Sequence, residues 1–79
     1  MNYWVVLYRS GCDWCDKAKD LLERKGEEYF AYDLNSHSQI KSFVKSCGLS
    51  TVPQVYLNGK LIGGYDDLRL FFLNTDGSL

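Results

Sequence analysis

The segment at residues 4–15 constrains the fold of this chain more than any other. Trp4-Val5-Val6-Leu7-Tyr8 is a run of β-branched and aromatic residues, too short for a helix and typical of a buried strand. After Arg9-Ser10-Gly11 interrupts this run, apolar residues recur with helical spacing from Cys12 to Lys25, and Gly26 follows as a C-terminal cap. A strand that passes directly into an amphipathic helix predicts a β-α unit, with Cys12 at the junction.

A second strand and a second helix are predicted next. Residues 28–33 have the composition of a strand, and residues 35–38 offer several candidate N-caps. Apolar residues then recur at i, i+3, i+4 and i+7, and the pattern ends at Gly48. These positions are Ile40, Phe43, Val44 and Cys47, and we expect Cys47 to be a small core residue. Because a helix joins the first two strands, they should be parallel with a right-handed crossover.

The last third of the chain predicts a hairpin and a helix. Two short strands, residues 54–57 and 60–62, are joined by Asn58-Gly59, a strong hairpin signal. Asp66 or Asp67 then caps a last helix, in which Leu68, Phe71 and Phe72 face inward. The predicted fold is therefore α/β, with the order β-α-β-α-β-β-α, one mixed four-stranded sheet flanked by three helices, and a single domain over residues 1–79.

Composition and charge exclude several classes of function. The net charge is −1, so the chain has neither the basic footprint of a nucleic-acid binder nor a polybasic membrane signal. Its longest apolar run is too short to cross a bilayer, and no secretory signal opens the sequence. Three cysteines are an odd number and do not form the disulfide framework of a small secreted domain. We therefore expect a protein of a reducing compartment, the cytoplasm.

Cys12-Asp13-Trp14-Cys15 is the motif most able to carry chemistry. The first turn of a helix has unpaired N–H groups and the positive end of the helix dipole, and both favour a thiolate at Cys12. Cys15, three residues on, can attack a mixed disulfide formed on Cys12, so the pair is a candidate redox centre. The alternatives are two inert core cysteines or a zinc site, but zinc would need Cys47 and His37 at spacings that match no common ligand pattern.

Two further segments have a structural and a functional interpretation each. Thr51-Val52-Pro53 can simply begin a strand, since proline is tolerated there. Gly63-Gly64-Tyr65-Asp66-Asp67 can be a turn and a helix cap. Alternatively, its bare glycine backbone lets a ligand approach, and the N–H groups of a helix start bind that ligand's carboxylate.

Taken together, the motifs resemble the glutaredoxin family from Trp4 to about Phe72. The resemblance rests on Arg9 three residues before Cys12, the C-x-x-C, Thr51-Val52-Pro53 and residues 63–67, in this order and spacing. It implies a thioredoxin-like fold, catalytic Cys12 and Cys15, and a cis Val52–Pro53 bond beside them. It also implies a set of glutathione contacts: Arg9, Trp14, Thr51, Val52, Pro53, Gly64, Tyr65, Asp66 and Asp67.

The resemblance also assigns roles to those contacts. The Val52 backbone would pair with the cysteinyl part of glutathione, and Arg9 would meet its glycine carboxylate. The N–H groups of Asp66 and Asp67 would meet the γ-glutamyl carboxylate, and the Asp67 side chain would meet the γ-glutamyl amino group. Each charged end of the tripeptide then faces an opposite charge or a helix terminus.

The chain departs from the family pattern at two places that bear on function. The usual C-P-Y-C is here C-D-W-C, which loses the proline, places an acidic Asp13 beside the thiol and replaces tyrosine with Trp14. Ile40 stands where glutaredoxins often carry a polar or basic residue that contacts the glycine carboxylate. Gln39 or Lys41 is the candidate to make this contact in place of Ile40.

The resemblance implies a glutathione-dependent oxidoreductase that reduces protein disulfides and glutathionyl mixed disulfides, and so serves electron transport and cell redox homeostasis. Glutathione would be a co-substrate, no organic cofactor or metal would be needed, and the protein would be a monomer with ribonucleotide reductase as a candidate recipient. Two alternatives stay open. One is a glutaredoxin-like redoxin reduced by thioredoxin reductase. The other is a dimer that binds an iron–sulfur cluster through its first cysteine and glutathione, as some glutaredoxins without the proline do.

Overall fold

The elements follow one another in the predicted order. The computed structural model describes residues 2–46, 48 and 51–76, so the prediction for Cys47 lies outside the described residues, as does the side chain of Phe43. The strands are β1 (Trp4–Tyr8), β2 (Tyr29–Asp33), β3 (Gln54–Leu57) and β4 (Lys60–Gly63). The helices are α1 (Asp13–Arg24), α2 (Ser38–Ser46) and α3 (Tyr65–Asp76). None of the helices in the described ranges is both long and apolar enough to span a membrane.

The four strands form one mixed sheet in the order β2-β1-β3-β4. β1 is parallel to β2 and antiparallel to β3, and β3 and β4 form an antiparallel hairpin. Asn58 and Gly59 have φ angles of 52° and 85°. Two consecutive residues with positive φ are what a two-residue hairpin turn of the primed type requires, which is why Asn-Gly is favoured there. The predicted architecture is confirmed.

Helices cover both faces of the sheet. One face packs against α1 and α3, around a core in which Trp4 is only 1% exposed. The residues of that core are Trp4, Val6, Ala18, Leu21, Leu22, Val55, Leu68 and Phe72. The other face packs against α2 through a smaller cluster of Leu7, Leu34 and Val44. Because α1 and α3 pack on the same face of the sheet, the first residues of both helices can lie at the same end of the sheet.

The start of α3 differs from its prediction. The expectation that Asp66 or Asp67 caps this helix is wrong, because α3 begins at Tyr65 and Gly64 takes the cap position. The Leu68 N–H donates to the Gly64 carbonyl at 3.0 Å, which closes the first helical turn. The Asp67 carboxylate instead reaches back to accept the Gly64 N–H at 3.2 Å. This backward bond is the one that the third helical residue makes in a capping box.

Candidate active site

Cys12 occupies the N-cap of α1, at the carboxyl end of β1. Its backbone is extended, with φ −99° and ψ 109°, and its half-buried sulfur accepts the Cys15 N–H at 3.1 Å. The same sulfur lies 4.0 Å from the Val52 carbonyl oxygen. The sulfur thus lies next to an N–H donor and at the positive end of the helix dipole. Cys12 therefore has the surroundings of a nucleophilic thiol.

Cys15 has the opposite surroundings. Its side chain is fully buried against the core, and it lies in the first turn of α1. Burial raises the pKa of the Cys15 thiol to about 12 from an ordinary value of 9.0, and the neighbouring Cys12 acts in the same direction. A backbone hydrogen bond at Arg9 and the charge of Lys19 oppose the shift but do not offset it. Cys15 is consequently protonated at neutral pH, and the two thiols are unequal.

A buried side chain forms hydrogen bonds to the loop that faces Cys12. The Val52–Pro53 peptide bond is cis, as the resemblance implied. Gln54, the next residue, is only 5% exposed, and its Nε2 donates to the Thr51 carbonyl at 2.6 Å and to the Thr51 hydroxyl at 3.2 Å. Sequence reasoning missed Gln54, because a polar residue in a short strand gives no sign of being buried.

A cavity of about 330 Å³, here called the α3 pocket, opens between this loop and the start of α3. Eight of the nine residues expected to contact glutathione line it: Trp14, Thr51, Val52, Pro53, Gly64, Tyr65, Asp66 and Asp67. The exposed Trp14 ring forms one wall and lies 5.6 Å from the Tyr65 ring, centroid to centroid. The fold thus brings three segments that are distant in sequence to one cavity, and one of its lining residues, Val52, also contacts the Cys12 sulfur.

The α3 pocket ends at the N-terminus of α3, which carries the partial positive charge of the helix dipole. The first-turn N–H groups of a helix have no partner within the helix, so those of Tyr65, Asp66 and Asp67 are available to an anion. The Asp67 carboxylate lies beside them and is held by the Gly64 N–H. Gly63 has φ +126°, and a Cβ at that position would clash with the Asp67 carboxylate. Glycine at residue 63 therefore makes room for Asp67.

Arg9 lines a second cavity, here called the basic pocket, which adjoins the first. Its volume is about 290 Å³, and it shares Thr51 and Val52 with the α3 pocket. Its other lining residues are Arg9, Leu34, Lys41, Val44, Lys45 and Gly48. Of the two candidates to replace Ile40, Lys41 lines this pocket and Gln39 does not.

Among residues 2–46, 48 and 51–76, no group of three or more histidine, cysteine, aspartate or glutamate side chains could hold a metal ion. His37 is exposed, and its Nδ1 lies 2.9 Å from the Asp33 carbonyl oxygen. A zinc site with Cys47 involves a residue outside the described part of the chain.

Two unequal thiols at a helix start, facing a cis-proline loop on a thioredoxin-like fold, define a thiol–disulfide exchange centre. The glutaredoxin family model matches residues 5–62. Glutaredoxin 1 of Rickettsia prowazekii is 38% identical over an alignment of 79 positions that covers 95% of this chain and 81% of that protein. The chain therefore belongs to the glutaredoxin family and is a thiol–disulfide oxidoreductase.

Two other relatives extend the comparison. A crystal structure of a buckwheat glutaredoxin–glutathione complex has a TM-score of 0.77 and 30% identity, and the match covers 99% of this chain and 73% of that one. The hybrid peroxiredoxin hyPrx5 of Haemophilus influenzae is 42% identical over 67 residues, or 85% of this chain. The matched region is only 28% of that relative's length.

Proposed function

We propose that the protein reduces protein disulfides and glutathionyl mixed disulfides at the expense of glutathione. The observation that carries this proposal is the α3 pocket, which is lined by Val52, whose carbonyl oxygen lies 4.0 Å from the Cys12 sulfur, and which ends in the N–H groups of a helix start. Its volume, about 330 Å³, lies at the lower end of the range for small-molecule sites. The glutathione bound in the buckwheat relative supports the same ligand.

Each charged end of glutathione has a partner in this arrangement. The γ-glutamyl carboxylate meets the N–H groups of Asp66 and Asp67, and the γ-glutamyl amino group meets the Asp67 carboxylate. The cysteinyl backbone pairs with Val52, whose carbonyl already lies near the Cys12 sulfur. The glycine carboxylate reaches Arg9 in the basic pocket, where Lys41 supplies the cation that Ile40 does not.

The reaction begins when the Cys12 thiolate attacks a substrate disulfide. A Cys12–substrate disulfide forms, and the first substrate sulfur leaves as a thiolate. Cys15 loses its proton and attacks the Cys12 sulfur, which forms the Cys12–Cys15 disulfide and releases the second substrate sulfur. One glutathione thiolate then attacks Cys12 and frees Cys15. A second glutathione attacks the glutathionyl sulfur, so glutathione disulfide leaves and Cys12 is reduced.

A coupled assay tests this proposal. Glutathione with glutathione reductase should turn the protein over on hydroxyethyl disulfide, whereas thioredoxin reductase should not. We expect Cys12→Ser to abolish all activity. Cys15→Ser should retain the reduction of glutathionyl mixed disulfides, which needs one thiol, and should lose the reduction of protein disulfides. Turnover supported by thioredoxin reductase alone would contradict the proposal.

We place the reaction in the cytoplasm and assign it to a monomer, with ribonucleotide reductase as a candidate recipient of the electrons. The supporting argument for the compartment is chemical, because Cys12 must be returned to the thiol form after each cycle. The competing iron–sulfur function requires a dimer. Anaerobic purification followed by size-exclusion chromatography should therefore yield a colourless monomer.

A further inference from the structure

The basic pocket carries more positive charge than glutathione requires. Arg9 follows β1, and Lys41 and Lys45 lie one turn apart on α2, so three cations from two parts of the fold line one cavity. Among the residues that the structure describes, no acidic side chain lines it, and none of the three cations forms a salt bridge. The single glycine carboxylate of glutathione offsets one of these charges.

The floor of the basic pocket is apolar. Leu34 and Val44 are almost fully buried and belong to the cluster between the sheet and α2, and Val52 completes the floor beside the reactive sulfur. A cavity with a cationic rim and an aliphatic floor is complementary to a segment in which acidic and aliphatic side chains are neighbours. The overall charge of −1 makes this a local feature and not a general affinity for polyanions.

We propose that the basic pocket is the docking site for an acidic, aliphatic segment of the disulfide substrate, on the C-terminal side of the attacked cysteine. The direction rests on the proposed function, in which the glycine of glutathione, C-terminal to its cysteine, reaches Arg9. A polypeptide that forms a disulfide with Cys12 in the same backbone direction along Val52 sends its next residues toward Lys41 and Lys45. Lys45 is then a determinant of protein-substrate specificity that glutathione does not need.

The test uses single-cysteine peptides whose sulfur is joined to thionitrobenzoate. When the reduced protein attacks the peptide sulfur, a Cys12–peptide disulfide forms and coloured thionitrobenzoate leaves, so the rate is read without glutathione. Three peptides are compared: one with Asp-Leu-Asp after the cysteine, one with Asn-Leu-Asn after it, and one with Asp-Leu-Asp before it. We expect the first to react about three- to tenfold faster than either of the others at low salt, and the advantage to shrink at about 0.5 M salt.

Two variants locate the effect. Lys45→Gln should reduce the advantage of the first peptide at least about twofold, and should change glutathione-dependent turnover on hydroxyethyl disulfide less than Lys41→Gln does. Lys60→Gln is the matched control, because Lys60 is exposed on β4 and lines neither pocket. Equal rates for the three peptides, or equal effects of the two variants, would overturn the inference. If the wild-type protein shows no glutathione-dependent turnover, the proposed function is wrong instead, so the two failures are distinguishable.

Discussion

Replacement of Gln54 by methionine tests whether its buried amide holds the loop that faces Cys12. Methionine preserves most of the side-chain volume but donates no hydrogen bond. The change removes the 2.6 Å bond to the Thr51 carbonyl and the 3.2 Å bond to the Thr51 hydroxyl. Thr51 is exposed, so water can hydrate both of its oxygens after the substitution. The loss of stability is therefore the net contribution of two hydrogen bonds, without the penalty of a buried unpaired group. We expect the free energy of unfolding to fall by about 1–2 kcal/mol.

Urea denaturation followed by far-UV circular dichroism measures this loss. With a slope of roughly 1 kcal/mol per M for so small a domain, the midpoint of Gln54→Met should fall by about 1–2 M. Thr51→Val is the matched control, because it removes the hydroxyl acceptor and keeps the carbonyl, so its loss should be about half as large or less. A displaced loop should also raise the KM for glutathione while the alkylation rate of Cys12 stays constant. If Gln54→Met is no less stable than Thr51→Val, the short bond to the carbonyl contributes nothing and the reasoning fails.

Three further predictions concern the thiols and the start of α3. The pKa of Cys15 in the folded protein, about 12, lies above its ordinary value of 9.0. The buried neutral thiol therefore stabilises the fold below pH 9, and this contribution is lost as the pH rises from 9 to 12. Iodoacetamide at about pH 8 should therefore label Cys12 and spare Cys15 in the folded protein, as fragmentation of the tryptic peptide 10–17 would show, and should label both in urea. Asp67→Ala should raise the KM for glutathione and, because it removes the acceptor of the Gly64 N–H, lower stability by about 1 kcal/mol. An unaltered KM would remove the γ-glutamyl end from its proposed position. Asp13→Asn should speed alkylation of Cys12 near neutral pH by about two- to threefold, because it removes a carboxylate beside the thiolate, and an unchanged rate would mean that solvent screens Asp13.

The elements that sequence reasoning predicted well are those with a local cause. The Asn58-Gly59 turn and the position of Cys12 at the start of α1 each follow from a few adjacent residues, and the structure has them where they were expected. The start of α3 was misplaced because Asp66 and Asp67 are adjacent and equally good caps by composition. The backbone conformation of Gly63 and Gly64 in the folded structure is needed to show that the Asp67 carboxylate accepts the Gly64 N–H.

Features that depend on packing between distant segments were not predictable from the chain alone. Lys45 had no functional prediction, since its position on a helix says nothing about the loop opposite. The structure places it in one cavity with Arg9, from which it is separated by 36 positions in the sequence (45 − 9). Gln54 was likewise assigned to a strand with no sign of what its amide would meet.

The two tryptophans give this protein two independent optical reporters. Trp4 is 1% exposed and stacks on Phe72, so its emission depends on the integrity of the core. Trp14 is 53% exposed, lies under the Lys17 ammonium at 4.4 Å and forms a wall of the α3 pocket. Iodide should quench the Trp14 emission alone, and a ligand in the pocket should shield it while the Trp4 signal stays constant. Occupancy and unfolding can therefore be separated in a single titration, without an added label.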